Sequence, residues 1–150
     1  MAVGERPPGW VADGVREFTR RMPRQLPVRV VPVSVGKGRH KGDSEGIKVE
    51  EGRRLLAASE GCHRVALDER GRQWDTATLA RQLDEWMLDG DTIAFLVGGA
   101  DGLDTACLEQ AGQRWSLSTL TLPHMLVRVI LAEQLYRAWT VLNNHPYHRD

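Results

Sequence analysis

Residues 117–150 read LSTLTLPHMLVRVILAEQLYRAWTVLNNHPYHRD, and the reading of this stretch decides the fold. Residues 117–122 alternate apolar and hydroxyl side chains with the two-residue period of a strand. Pro123 then stops the strand and suits the first turn of a helix, where its missing N–H is no loss. From His124 to Asn143 the spacing predicts a helix that is apolar almost all round, interrupted by Arg128, Glu133, Gln134 and Arg137. A helix of that kind must be covered on most of its surface. In a chain of 150 residues the expected cover is a partner subunit. Beyond Asn143 and Asn144, the tail His145-Pro146-Tyr147-His148-Arg149-Asp150 is too rich in functional groups to be a frayed end.

Working outward, residues 93–97 (IAFLV) are the purest strand pattern in the chain, as in a parallel sheet covered on both faces. The loop Gly98-Gly99-Ala100-Asp101-Gly102 follows, and then a helix is expected over 103–114. Upstream, Leu79, Leu83, Trp86 and Met87 mark an amphipathic helix over 76–88, with Asp75 placed to cap it. Residues 64–68 (RVALD) read as a short buried strand, closed by a turn at Gly71. A helix over 47–59 carries Ile47, Leu55 and Leu56 on its apolar side, behind a polar loop, GKGRHKGDSEG, at 36–46. Partial alternation at 28–35 suggests a strand, which Pro32 confines to a sheet edge or bulge. A first helix over 11–22 sets Val11, Val15, Phe18 and Met22 against Arg16, Arg20, Arg21 and Arg24, which read as a solvated face. Residues 1–4 are the stub of a strand. Strands and helices alternate throughout, which predicts an α/β domain over 1–150 with a mostly parallel sheet flanked by helices.

Apolar content of 41% and charged content of 27% belong to a soluble globular chain large enough for a real core. Net charge is zero, so no global field draws the protein to nucleic acid or membrane, and any RNA contact must come from local basic patches. Cys62 and Cys107 form no metal or redox motif and read as reduced thiols. The first residues, MAVGERPPGW, have no apolar signal core, and no run approaches membrane-spanning length. A cytoplasmic location is expected.

A strand that runs into Gly98-Gly99-x-x-Gly102 and then a helix is where open α/β sheets bind ligands. It is not G-x-G-x-x-G, and a plain strand–helix turn explains it equally well. The hydroxyls of Ser118, Thr119 and Thr121 would either meet a polar ligand or face solvent. Arg137 follows Glu133 by four residues, the favourable order for an ion pair, or else it is aimed at a nucleotide. Lys37, Arg39, His40 and Lys41 would meet phosphates or simply be solvated, and the loop has no Walker spacing. His145 and His148 have H-x-x-H spacing, but two ligands make a poor zinc site, so no metal is expected. Tyr147, His148 and Arg149 together offer stacking, a proton acceptor and a cation, the groups that hold an unstacked RNA base. His40, His63 and His124 are assigned no role.

FLVGGADGL (residues 95–103), LSTLTLPHMLVRVILAEQLYRAW (117–139) and NHPYHRD (144–150) closely resemble the RlmH family. RVALDERGRQWD (64–75) and the region 10–27 extend the match over nearly the whole chain. These are small SPOUT-class methyltransferases that act on N3 of a pseudouridine in 23S rRNA. The resemblance implies a SPOUT-type trefoil-knotted α/β fold and a homodimer. It implies S-adenosylmethionine as methyl donor, held by Leu67, by Gly98 and Gly99, and by Ser118, Thr119, Leu120, Thr121, Leu122 and Pro123. It also implies catalytic, substrate-handling roles for Arg137, Tyr147, His148 and Arg149, with the tail reaching across the dimer. His148 is the candidate acceptor for the N3 proton.

The family begins with a fuller first strand than the stub at 1–4, so this strand is expected to be truncated, from a late start or in fact. The zero net charge predicts that an assembled ribosome or large subunit is preferred over naked RNA. The competing readings are a ribosome-binding dimer that has lost turnover, and a flavodoxin-like nucleotide-binding module.

Overall fold

The structure, a computed structural model, describes residues 1–37, 40 and 42–148. Strand β1 (Ala2–Val3) leads to α1 (Gly9–Thr19), β2 (Pro32–Val33), α2 (Ser44–Ala58), β3 (His63–Gln73) and α3 (Thr76–Asp89). Then come β4 (Ile93–Leu96), α4 (Thr105–Glu109), β5 (Gln113–Ser116), α5 (His124–Leu142) and a 3₁₀ turn at Pro146–His148. All strand pairs are parallel, β1 with β2 and β4-β3-β5 as a second sheet. A bridge between Ala2 and Val97 joins them in the order β2-β1-β4-β3-β5. One face buries Val3, Leu55, Leu96 and Cys107 under α2 and α4. The other buries Val65, Leu79, Leu83, Trp86 and Trp115 under α3 and α5.

The seam at β1 is thin. Val3 N–H donates to the Val97 carbonyl at 3.1 Å, Val97 N–H to Met1 at 3.0 Å, and Ala2 N–H to Val31 at 3.0 Å. Beside it lies a cavity of about 370 Å³, lined by residues 28–31 on one flank and Ile93, Ala94 and Phe95 on the other.

Local chemistry explains where the elements depart from the sequence reading. Residues 117–122 form no strand. Ser116 Oγ donates to the Ser118 carbonyl at 2.9 Å, and Ser118 Oγ accepts from Leu120 N–H at 2.8 Å. Such local bonds compete with a sheet ladder and curl the chain. The strand lies just upstream, at β5. The helix expected over 103–114 is only α4, capped by Asp104, whose Oδ2 accepts from Ala106 N–H at 3.0 Å. The remainder is drawn into the sheet, where Gly112 N–H donates to the Arg64 carbonyl at 3.0 Å. The strand does not end at Gly71: β3 continues to Gln73, but its pairing with β5 breaks after Leu67 and resumes at Arg72, so Gly71 closes an excursion within the strand. A Cβ there would stand 2.8 Å from the backbone of Arg114 and Trp115.

Helix α1 stops at Thr19, short of Met22, and Pro23 disfavours helical backbone at the residue before it. Helix α2 starts ahead of Ile47 because Asp43 caps it, accepting from Gly46 N–H at 2.9 Å. The expected 28–35 strand contracts to β2. Asp75 caps α3 as its position suggests, accepting from Thr78 N–H at 2.7 Å. Met87, expected in the core, is 43% exposed, whereas Leu79, Leu83 and Trp86 are buried. No helix among the described residues is long and apolar enough to cross a membrane.

Candidate active site

A cleft of about 780 Å³ opens at the carboxyl ends of β3, β4 and β5. Three backbone segments make its walls. The first leaves β3 at Leu67, where the pairing with β5 breaks and resumes only at Arg72. Asp68 Oδ1 accepts from Arg70 N–H at 2.8 Å and turns this excursion outward. The second is the glycine turn. Gly102 N–H donates to the Gly99 carbonyl at 3.2 Å, and Gly102 itself has φ +80, a left-handed conformation that favours glycine. A Cβ on Gly98 would come within 2.4 Å of the Gly102 carbonyl, so the turn closes only without one. The third wall is the curled segment from Ser116 to Pro123 and the first turn of α5, whose amino end faces the cleft with His124 and Val127. That end of the helix dipole suits an anionic group.

Of the residues singled out from sequence, Leu67, Gly98, Gly99, Ser118, Leu120, Thr121, Leu122 and Pro123 all line this cleft. Thr119 sits in the same segment, exposed, and is not part of the lining. The cleft size is that of sites for cofactor-sized ligands. At Gly98 and Gly99 the space a Cβ would take is filled by the turn itself and by Glu51, so the turn packs tightly and gives the cleft a wall of backbone. The residues therefore fit S-adenosylmethionine.

The tail cluster is elsewhere. Glu133 and Arg137 pair at 2.8 Å, so the ion-pair reading of this arginine is realised. Tyr147 brings its hydroxyl to the same carboxylate, donating to Glu133 Oε1 at 3.0 Å, and the Arg137 guanidinium lies 5.1 Å from its ring centre. Tyr136 packs against Tyr147 with ring centres 4.8 Å apart. Burial and the bond to Glu133 push the Tyr147 phenol up from its ordinary value. His148 is half-buried, and its Nδ1 meets no hydrogen-bond partner among the described residues. Arg149 lies outside the described residues, as do Arg39 and Lys41. Arg137 is thirteen residues along α5 from the cleft-lining His124, about 20 Å at the helical rise. Within one chain the two clusters are apart.

Sequence reasoning missed the support beneath the glycine turn. Glu51 is 5% exposed on α2 and accepts from Gly36 N–H at 3.1 Å. A Cβ on Gly99 would meet its Oε2 at 2.7 Å. Arg54 donates to Ser34 Oγ at 2.9 Å and to the Val35 carbonyl at 2.8 Å, while Glu50 holds it at 2.8 Å. Glu50, half-exposed between Arg53 and Arg54, is held down to about 2 by their hydrogen bonds despite opposing desolvation. One signal was available. Gly52 inside a helix costs about 1 kcal/mol and so marks a close approach. A Cβ there would fall 2.6 Å from Asp104 Cβ. Two further residues were also missed. Trp115 lines the cleft, with Trp74 stacked on it at 5.0 Å and an indole N–H lacking a partner among the described residues. His124, given no role, stands at the cleft wall.

A family model described as predicted SPOUT methyltransferase matches residues 1–148. The chain belongs to the SPOUT methyltransferase family. This SPOUT chain is 52% identical over 149 residues to the ribosomal RNA large subunit methyltransferase H of Alkalilimnicola ehrlichii, covering 99% of this chain and 96% of the relative. It is 51% identical over 150 residues to the protein of that name from Methylococcus capsulatus, covering 99% and 97%. To that of Hahella chejuensis it is 48% identical over 151 residues, covering 100% and 97%. A solved structure, a probable methylase family protein from Haemophilus influenzae, superposes with a TM-score of 0.58 at 13% identity over 99% of this chain and 68% of the other. That likeness concerns the fold. Among the described residues, no group of three or more His, Cys, Asp or Glu side chains is arranged to hold a metal ion.

Proposed function

We propose that this chain methylates N3 of a pseudouridine in 23S rRNA, as a cytoplasmic, trefoil-knotted homodimer acting on the assembled large subunit or ribosome. Its methyltransferase family supports S-adenosylmethionine as the donor, and the name its relatives carry supports large-subunit ribosomal RNA as the acceptor. The single observation that carries the mechanism is the separation along α5. The backbone-lined cleft lies at one end, and Arg137, Tyr147 and His148 lie at the other. A second subunit, packed on the apolar flank of α5, would bring one subunit's tail to the other's cleft.

Bound S-adenosylmethionine supplies a methyl group on an electrophilic sulfonium. The cleft residues orient the donor and keep water from it, and positioning of this kind lowers a bimolecular barrier strongly. As the N–CH₃ bond forms and the S–CH₃ bond breaks, the N3 proton leaves. His148, half-buried in the tail beside Tyr147, is the proposed acceptor. Glu133 orients Arg137 and Tyr147 against the base and its phosphate.

The test is transfer of labelled methyl from S-adenosylmethionine to ribosomes that lack the modification, with mass mapping of the RNA. A methyl on N3 of a large-subunit pseudouridine is expected, with far less transfer to a free RNA hairpin. Cofactor binding by a folded dimer without transfer would overturn the catalytic reading in favour of ribosome binding alone.

A further inference from the structure

We infer that the arginine-rich end of α1, together with the aromatic rings it rests on, is the surface that grips the ribosomal RNA backbone. The inference deepens the function proposed above and rests on it for the identity of the RNA. The chain as a whole is neutral, yet residues 13–24 carry four arginines against two acids, Asp13 and Glu17, and Asp13 is taken up by Arg16. A neutral protein has no general attraction for a polyanion, so phosphate affinity must be concentrated where such an excess sits. Glu17 is shared by Arg20 and Arg21, so one carboxylate serves two guanidiniums. The Arg20 side chain is 64% exposed, and Arg24, just past the helix, is exposed as well. Exposed ion pairs of this kind contribute little to stability, so they give the fold small reason to gather these charges.

The position of the patch carries the argument further. The Arg21 guanidinium lies 5.9 Å from the ring centres of both Phe18 and Tyr136. Tyr136 is in turn against Tyr147, over which Arg137 lies. The basic surface is thus continuous with the tail cluster and remote from the cofactor cleft. Guanidiniums offer paired donors to phosphate, and one already laid on aromatic rings loses less freedom when it binds. RNA held here would have its backbone fixed beside the groups proposed to handle the flipped base.

The experiment compares full-length wild type with the double variants Arg20→Glu/Arg24→Glu and Arg20→Lys/Arg24→Lys, leaving the packed Arg21 untouched. Binding to large ribosomal subunits that lack the methyl group is measured across a salt series, and S-adenosylmethionine affinity is measured alongside. The glutamate pair is expected to weaken subunit binding by about tenfold or more and to flatten the log–log salt slope by about 2, with cofactor affinity unchanged. The lysine pair is expected to keep the slope. Wild-type binding by the glutamate pair, or equal loss in both pairs, would overturn the inference. Salt-sensitive, arginine-dependent binding without any methyl transfer would uphold this surface and sink the catalytic reading. Methylation by the glutamate pair at unchanged KM would do the reverse.

Discussion

The cleft and the tail cluster sit at opposite ends of one helix and are made of different material. The cleft is backbone: a glycine turn closed on itself, a break in the β3–β5 ladder, and a segment curled by serine hydroxyls. The tail cluster is side chain: one carboxylate, Glu133, holding Arg137 and Tyr147, with Tyr136 beneath. A backbone site depends on what its residues lack, and a side-chain site on what its residues bring. The first should fail when an atom is added and the second when one is removed.

The largest effect is expected at Gly98→Ala. The added Cβ has no room against the Gly102 carbonyl, so S-adenosylmethionine affinity should fall by about a hundredfold or more in a calorimetric titration. Near-normal affinity would mean that the turn relaxes freely and that the contrast is false. Next comes Glu133→Gln, which keeps shape but discharges the shared partner. Loss of charged hydrogen bonds of this kind corresponds to roughly ten- to hundredfold. It should appear in the methyl-transfer rate while cofactor affinity holds. A matching fall in cofactor affinity would merge the two regions into one.

How much of this contrast was legible beforehand follows from its chemistry. The strand core at 93–97, the Asp75 cap and the Glu133–Arg137 pair are local patterns, and local patterns print themselves in sequence. The alternation of 117–122 misled because hydroxyl residues satisfy a strand's period and a turn's hydrogen bonds equally well, and here the turn won. The length of β3 was hidden because its second half pairs only after a four-residue excursion, from Asp68 to Gly71. Glu51 carries no local signal that sets it apart from the other charges of α2. Its burial depends on Gly36 and Gly99, far away in the chain.

Glu51 sharpens the comparison from beneath, being a buried side chain that supports the backbone-built cleft. Glu51→Ala leaves the Gly36 N–H without its partner and should cost about 1–3 kcal/mol in denaturant unfolding, with Glu51→Gln milder. Equal stability of all three proteins would show that the turn supports itself. The smallest effect is a pH dependence confined to the tail. Burial, and then the bond to Glu133, raise the Tyr147 pKa, so the folded state holds this proton more tightly than the unfolded chain. The contribution is complete below the ordinary phenol value of about 10 and is lost as pH rises through the raised one. Thermal melts should show this alkaline loss in wild type and less of it in Tyr147→Phe. An identical alkaline profile would separate the phenol from tail docking.

The thin seam at β1 has a kinetic consequence. A short run, Met1 to Gly4, carries the pairing from β2 to β4, so β1 and β2 should open and close as a unit while β3, β4 and β5 stay shut. Their amides would then exchange with solvent deuterium well before those of Val65 or Leu96. Val3 also lies under Gly99, where a Cβ on the glycine would stand 3.3 Å from its Cγ1. Each opening of the seam therefore loosens the floor of the glycine turn, and a ligand seated on that turn should slow exchange at a strand it never touches.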